Sequence, residues 1–99
     1  MTKELVLVRP DDWHLHLRDE EFLPITVNES AKSFARAIIM PNLVPPITKL
    51  IDAENYKRRI MNALKPNLSF DPLMTLYLTE ETDPKEVKEG YITGQISAV

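Results

Sequence analysis

The stretch Ala37-Ile38-Ile39-Met40-Pro41-Asn42 contains four consecutive apolar residues and then meets a proline. A strand that is buried on both faces of a parallel sheet has this pattern. Apolar residues recur at helical spacing before this strand, in residues 22–34, and after it, in residues 53–64. Further strand-like runs occupy residues 13–18 and 73–78. Strands that alternate with helices predict an α/β fold built from parallel βα units.

Local signals indicate where the helices begin and end. Pro24 suits the first turn of the first helix, and Thr48 can cap the second. The segment Asp83-Pro84-Lys85-Glu86 has the pattern of a capping box, which predicts a third helix that ends near Gly90. The predicted apolar faces comprise Ile25, Val27, Ala31 and Phe34 in the first helix, and Ala53, Tyr56, Ile60, Ala63 and Leu64 in the second.

Two shorter runs lie at the ends of the chain. Residues 5–8 are predicted to form a hairpin with residues 13–18, because Arg9-Pro10-Asp11-Asp12 between them is a turn signal. Ile96-Ser97-Ala98-Val99 predicts the start of another strand. The 99 residues fit one domain, with no repeat or linker within it.

Composition excludes several classes of function. Twelve Lys and Arg against fifteen Asp and Glu give a net charge of -3, with no basic stripe to bind nucleic acid. No apolar run reaches the roughly 18 residues that span a membrane, and no signal peptide precedes the first strand, so we expect a cytoplasmic protein. Without cysteine, any metal must be held by His, Asp or Glu.

The run from Trp13 to Arg18 alternates apolar and polar residues, which puts His14, His16 and Arg18 on one face of a strand. Same-face neighbours on a strand are roughly 6.5 to 7 Å apart at Cα, so two imidazoles can share one divalent metal. The alternative is that His14 and His16 are ordinary strand histidines satisfied by water or backbone. Because they are the only two histidines in the chain, the pattern favours a metal site.

Arg18 and Asn42 are candidate binding residues for an anion. The guanidinium of Arg18 matches a carboxylate bidentately, although it could instead form a salt bridge with Asp19 or Glu20. Asn42 follows a buried strand, where α/β folds place their sites, but an Asn in a proline-rich turn is often structural. The acidic residues form no convincing pair, and most are expected to face solvent or cap helices.

Three segments together resemble dihydroorotases, in particular the shorter bacterial type. The first and most specific is Arg9-Pro10-Asp11-Asp12-Trp13-His14-Leu15-His16-Leu17-Arg18-Asp19. The others are Arg36-Ala37-Ile38-Ile39-Met40-Pro41-Asn42-Leu43-Val44-Pro45-Pro46 and Pro72-Leu73-Met74-Thr75-Leu76-Tyr77-Leu78-Thr79. The resemblance therefore covers nearly the whole chain. It departs at Glu20, where the family pattern has glycine after the Arg-Asp pair.

The resemblance implies a TIM (β/α)8 barrel of the amidohydrolase type, with two Zn²⁺ per active site. His14 and His16 match zinc ligands, and Arg18 and Asn42 match residues that hold the carboxylate of dihydroorotate or N-carbamoyl-L-aspartate. The implied reaction is the reversible cyclisation of that carbamoyl amino acid in pyrimidine (UMP) biosynthesis, by a homodimer. A carboxylated lysine that bridges the zinc ions is expected just after Val99, and the catalytic general-base Asp beyond it.

These implications make the 99 residues an incomplete enzyme. A full barrel needs roughly 250 residues, so residues 1–99 are expected to be the N-terminal part of one barrel domain, about three and a half βα units. A catalytic zinc normally has three protein ligands, and this chain offers two histidines. Two alternatives stay open: another cyclic amidohydrolase of hydantoinase or allantoinase type, or a non-catalytic barrel subunit.

Overall fold

The computed structural model describes residues 11–43 and 45–99. Within them, three strands form a parallel sheet in the order β1, β2, β3. The strands are β1 (Asp11–Leu15), β2 (Arg36–Ile39) and β3 (Asp71–Leu73), and the helices are α1 (Leu23–Ser33), α2 (Leu50–Ala63) and α3 (Pro84–Thr93), with a 3-10 turn at Glu20–Phe22. This order confirms the predicted α/β chain with parallel strands. The predicted strand at residues 5–8, the start of its turn and Val44 lie outside the described residues.

Strand β2 is the central strand, as its apolar run predicted. Ala37 and Ile39 are buried, and Ile38 is partly buried. A helix connects each pair of parallel strands, because the chain must cross back to start the next strand in the same direction. The core between sheet and helices includes Leu17, Leu23, Val27, Ala31, Ala37, Ile39, Ala53, Tyr56, Ile60, Met74, Leu76 and Ile96.

Strand β1 begins earlier and ends earlier than predicted. Asp11 and Asp12 were expected in a turn, but they pair with Arg36 and Ala37 of β2. The reason is an ion pair: the Arg36 guanidinium donates to both carboxylate oxygens of Asp11, at 3.2 and 2.7 Å. Between Asp12 and Leu15 the register shifts by one residue, which is a β-bulge.

The third predicted strand, residues 73–78, is shorter in the structure. β3 ends at Leu73, and the buried side chains continue only to Leu76. Tyr77 and Leu78 are exposed, so their predicted burial is wrong. Beyond β3, Thr75 forms a parallel bridge with Ala98, which confirms that the last residues begin to extend the sheet.

Helix α1 lies within one residue of its predicted bounds, and Pro24 is in its first turn. Its buried positions Leu23, Val27 and Ala31 are spaced by four residues. Ile25 is 66% exposed and not part of that face, because it lies about half a turn from this stripe. In α1 the sequence patterns missed Asn28, which is buried. Its side-chain nitrogen donates to the Ala63 carbonyl and its side-chain oxygen accepts from the Lys65 amide, so Asn28 caps the C-terminal end of α2.

Helix α2 begins one residue later than predicted, with Lys49 and not Thr48 as the N-cap. The carboxylates of Asp52 and Glu86 accept hydrogen bonds from backbone amides at the start of α2. Asp52 accepts from the Lys49 amide at 3.3 Å, and Glu86 of α3 accepts from the Leu50 amide at 2.8 Å. Ala53, Tyr56 and Ile60 are buried as predicted, with Ala63 and Leu64 partly buried.

Across residues 11–43 and 45–99, no helix is long and apolar enough to cross a membrane.

Helix α3 continues past its predicted end near Gly90. Asp83 caps it by accepting from the Lys85 amide at 2.9 Å, and it ends at Thr93 before Gly94, whose φ is 77°. Gly90 is buried inside the helix, because it packs against Leu50 and Ile96. A methyl group there would lie 2.6 Å from Leu50 Cδ2 and 2.7 Å from Ile96 Cγ1. Gly90 is thus a site of close approach between elements.

The Gly90→Ala substitution is expected to destabilise the protein by up to about 2 kcal/mol. Crowding by a new methyl group in a packed site costs about 1 to 3 kcal/mol, of which helix propensity returns roughly 1 kcal/mol. Contacts of 2.6 and 2.7 Å favour the upper part of this range. Urea unfolding of the complete protein measures the change. Glu89→Ala, at an exposed position of the same helix, is the control and should change stability by less than about 0.5 kcal/mol. Equal stabilities of the two variants would contradict the packing role.

The ion pair between Asp11 and Arg36 predicts a pH dependence. Hydrogen bonding from the Arg36 guanidinium holds the pKa of the Asp11 carboxyl below its usual value. Since the pKa is lower in the folded state, the pair stabilises the fold above the unfolded pKa of about 3.9. That stabilisation is lost as the pH falls through the folded pKa. NMR titration should show the lowered pKa of Asp11 and its return toward the usual value in Arg36→Gln, but not in Arg58→Gln.

Candidate functional site

The two histidines meet at the carboxyl end of β1. His14 lies in the strand and His16 follows it, and their Nε2 atoms are 3.0 Å apart. The ring centroids are 4.9 Å apart with the planes at 67°. Two nitrogens bound to one tetrahedral zinc at ~2.05 Å would be about 3.3 Å apart. The pair therefore fits two ligands of one metal, and it equally fits a direct hydrogen bond between the imidazoles.

The bulge in β1 sets the direction of His14. The backbone amide of His14 donates to Asp12 Oδ1 at 3.0 Å, so Asp12 stabilises the irregular backbone at this point. Past the bulge, the Met40 amide donates to the Leu15 carbonyl at 2.9 Å, which returns β1 to the side of β2. His14 is exposed and His16 partly buried, so both remain accessible from the edge of the sheet.

The alternation predicted one strand with His14, His16 and Arg18 on the same face, but β1 ends at Leu15, before His16 and Arg18. The φ of Arg18 is 63°, in the left-handed region, because the strand has already ended at Leu15. The turn brings Arg18 into an open cleft of about 870 Å³, which Asn42 also lines. The cleft lies beyond the carboxyl ends of β1 and β2, where α/β sheets bind ligands. Neither histidine is among the residues that line it.

The two arginines of the cleft differ in their partners. Arg59 of α2 donates to both carboxylate oxygens of Asp19, at 3.0 and 2.8 Å. Asp19 therefore pairs with Arg59 and not with Arg18, which was the structural alternative for Arg18. Within the described part of the chain, the Arg18 guanidinium forms no salt bridge. Arg18 is thus a cation available to an anionic ligand.

The residues that support the turn at Leu17–Asp19 were not found from sequence. Thr26 Oγ1 donates to the Leu17 carbonyl at 2.5 Å, and the Tyr56 hydroxyl donates to the Arg18 carbonyl. Tyr56 was predicted only as a core residue, and no contact was predicted for Arg59. Their spacing of three residues on α2 was visible, but nothing in the sequence indicated what the two side chains would contact.

The histidine pair is the candidate metal site among the residues that the structure describes. No group of three or more His, Cys, Asp or Glu side chains in residues 11–43 and 45–99 could hold a metal ion. Acidic residues are instead used in structure: Asp83 caps α3, Asp11 and Asp19 form ion pairs, and Glu86 caps α2. A zinc site built on His14 and His16 would need further ligands.

Comparison with known proteins identifies relatives across the full chain. The dihydroorotase of Ruegeria sp. (strain TM1040) is 52% identical over 99 residues, which is all of this chain and 29% of that protein. The dihydroorotase of Allorhizobium ampelinum is 55% identical over 97 residues, 98% of this chain and 28% of that protein. This chain is homologous to the N-terminal part of dihydroorotases. No family model matches it.

Solved dihydroorotases share the fold. The crystal structure from Campylobacter jejuni has a TM-score of 0.77 and 42% identity, over 86% of this chain and 25% of that one. The Saccharomyces cerevisiae dihydroorotase, solved in complex with 5-fluoroorotic acid, has a TM-score of 0.77 and 28% identity, over 90% of this chain and 24% of that one. The chain thus spans less than a third of the length of the dihydroorotases it matches.

The departure at Glu20 from the glycine of the dihydroorotase pattern has a structural consequence. Glu20 has φ 52°, a conformation that glycine adopts freely and that costs other residues about 1 to 2 kcal/mol. Part of that cost is offset by the greater entropy of glycine in the unfolded chain. We expect Glu20→Gly to stabilise the protein by about 0.5 to 1 kcal/mol in urea unfolding. The control is Glu21→Gly at the neighbouring exposed position, which should destabilise, and two changes of the same sign would refute the explanation.

Proposed function

We propose that this chain is the N-terminal part of a dihydroorotase, which interconverts N-carbamoyl-L-aspartate and L-dihydroorotate with release or uptake of water in pyrimidine (UMP) biosynthesis. The observation that carries the proposal is the placement of Arg18 and Asn42 on one cleft. Arg18 follows by two residues a histidine pair whose Nε2 atoms converge. A cation and an amide beside a candidate metal site suit a small substrate with a free carboxylate. The curated relatives bear the name of this enzyme over the same residues.

Arg18 and Asn42 would bind the carboxylate that both substrates share. The planar guanidinium of Arg18 can donate two parallel hydrogen bonds to a carboxylate, and Asn42 can add a third from its amide. Asp19 does not neutralise Arg18, because Arg59 holds that carboxylate. Arg18 is two residues after His16 in the chain, and the proposal requires the ligand to extend from the guanidinium toward the histidine pair.

His14 and His16 would hold one of two zinc ions. When bound, zinc supplies a hydroxide near neutral pH and polarises the amide carbonyl of the ring. A carboxylated lysine just after Val99 and a general-base Asp farther on would complete the site. This chain's own contribution is to hold the imidazoles side by side and to orient the substrate by its carboxylate through Arg18 and Asn42.

The proposal includes the surrounding architecture. Three parallel strands with helical connections, and a further bridge from Thr75 to Ala98, are what the first half of a TIM (β/α)8 barrel would contain. The complete enzyme would then be a zinc-dependent cyclic amidohydrolase, homodimeric and cytoplasmic, with a small-molecule substrate.

The test is dihydroorotate hydrolysis by the complete protein, with zinc and after chelation. We expect zinc-dependent turnover that His16→Ala abolishes together with one of the two zinc ions per site, because each imidazole would be a ligand of that ion. Arg18→Ala should raise KM for dihydroorotate roughly 10- to 100-fold, the loss expected for a charge-assisted hydrogen-bond pair, while zinc content stays at the wild-type level.

Arg58→Ala is the matched control for Arg18→Ala, since Arg58 is an exposed arginine of α2 that does not line the cleft. It should leave KM unchanged. Bound zinc with no turnover of dihydroorotate would contradict the proposal and favour another cyclic amidohydrolase. Neither zinc nor turnover would favour a non-catalytic barrel subunit.

A further inference from the structure

The turn that presents Arg18 to the cleft is held at three consecutive residues by side chains of two helices. Thr26 of α1 bonds to the carbonyl of Leu17, Tyr56 of α2 bonds to the carbonyl of Arg18, and Arg59 of α2 bonds to the carboxylate of Asp19. None of these contacts involves the Arg18 guanidinium itself. Two of them act on backbone carbonyls, at Leu17 and Arg18, and the third acts on the side chain of Asp19.

The two residues of α2 that hold the turn, Tyr56 and Arg59, also interact with each other. Tyr56 and Arg59 lie one turn apart, and the Arg59 guanidinium lies 5.3 Å from the centre of the Tyr56 ring. Tyr56 is fully buried, and burial is the main cause that raises its pKa well above the usual range. Its hydroxyl therefore stays protonated and remains a donor to the Arg18 carbonyl at any physiological pH.

The turn needs this support because its backbone is strained. Arg18 has φ 63°, in the left-handed region that is sterically unfavourable for a residue with a side chain. A strained conformation persists only where surrounding contacts over-determine it. Releasing the strain would rotate the backbone of Arg18 and change the position of its guanidinium in the cleft that Asn42 also lines.

We propose that Tyr56 and Arg59 are positioning residues for substrate carboxylate binding: they hold the Arg18 turn in its left-handed conformation and keep Asp19 from neutralising Arg18. This inference rests on the proposed function. It differs from a general structural role, because it assigns the effect of α2 to one end of the substrate, the carboxylate that Arg18 binds.

The test compares dihydroorotate with its carboxamide, in which a neutral amide replaces the carboxylate, as substrates or competitive inhibitors of the complete protein. Tyr56→Phe removes one hydroxyl and keeps the ring, and it should raise KM for dihydroorotate roughly tenfold. Arg59→Gln, at an exposed position where folding is less at risk, should raise it at least as much, because the freed Asp19 carboxylate would then compete for Arg18. Binding of the carboxamide should change less than twofold in both.

Two controls and a double-mutant cycle separate positioning from general damage. Tyr91→Phe on α3 and Arg58→Gln on α2 are matched exposed positions outside the cleft, and both should leave KM and zinc content unchanged. In an Arg18→Ala background, Tyr56→Phe and Arg59→Gln should add less than twofold, since there is no guanidinium left to position.

The outcomes are distinguishable. Equal losses for dihydroorotate and the carboxamide, or additive losses in the Arg18→Ala background, would overturn the inference and leave the proposed function standing. Unchanged KM for dihydroorotate in both Tyr56→Phe and Arg59→Gln would also overturn the inference and leave the proposed function standing. No turnover of dihydroorotate by the wild-type protein with zinc bound would overturn the proposed function, and this inference with it.

Discussion

The hydrogen bond from the Tyr56 hydroxyl to the Arg18 carbonyl joins the hydrophobic core to the cleft. Tyr56 is fully buried among the apolar side chains that hold α2 against the sheet, yet its polar end reaches the turn after β1. A buried hydroxyl is unfavourable without a hydrogen bond, and a strained backbone persists only where contacts stabilise it. The Tyr56–Arg18 hydrogen bond meets both conditions, so the packing of α2 and the conformation of the cleft depend on each other.

The electrostatics of the cleft follow from how its charges are partnered. Two arginines and several carboxylates line the same space, and a uniform mixture would offer little affinity for an anion. Bidentate pairing of Asp19 with Arg59 removes one charge of each sign. Arg18 is then the remaining cation of the cleft, and its guanidinium forms no salt bridge within the described residues. Asn42 lines the same cleft, as do the carboxylates of Glu20, Glu21 and Asp52, so a ligand carboxylate would compete with these acidic groups for Arg18.

The histidine pair depends on a different constraint, the register between β1 and β2. A bulge after Asp12 adds one residue to β1, and the Asp12 side chain bonds to the His14 amide inside it. Bulges are common beside binding sites because they redirect side chains without ending the strand pairing. Here the bulge accompanies the convergence of two Nε2 atoms to 3.0 Å, a separation that suits a shared metal.

Sequence by itself determined the order of strands and helices, the burial of Ala37 and Ile39, and the proximity of His14 and His16. These features depend on periodicity and on neighbours within a few residues, so local pattern is sufficient. Sequence failed where distant residues compete, as at Asp11, which joined a strand because Arg36 pairs with it, and at Gly90, which packs inside α3 against Leu50 and Ile96. Only the tertiary structure decided that Asp19 pairs with Arg59, 40 residues away, and that Arg18 forms no salt bridge with any residue that the structure describes. The choice between these two arginines depends on how α2 packs against the turn, and residue type and spacing do not encode that packing locally.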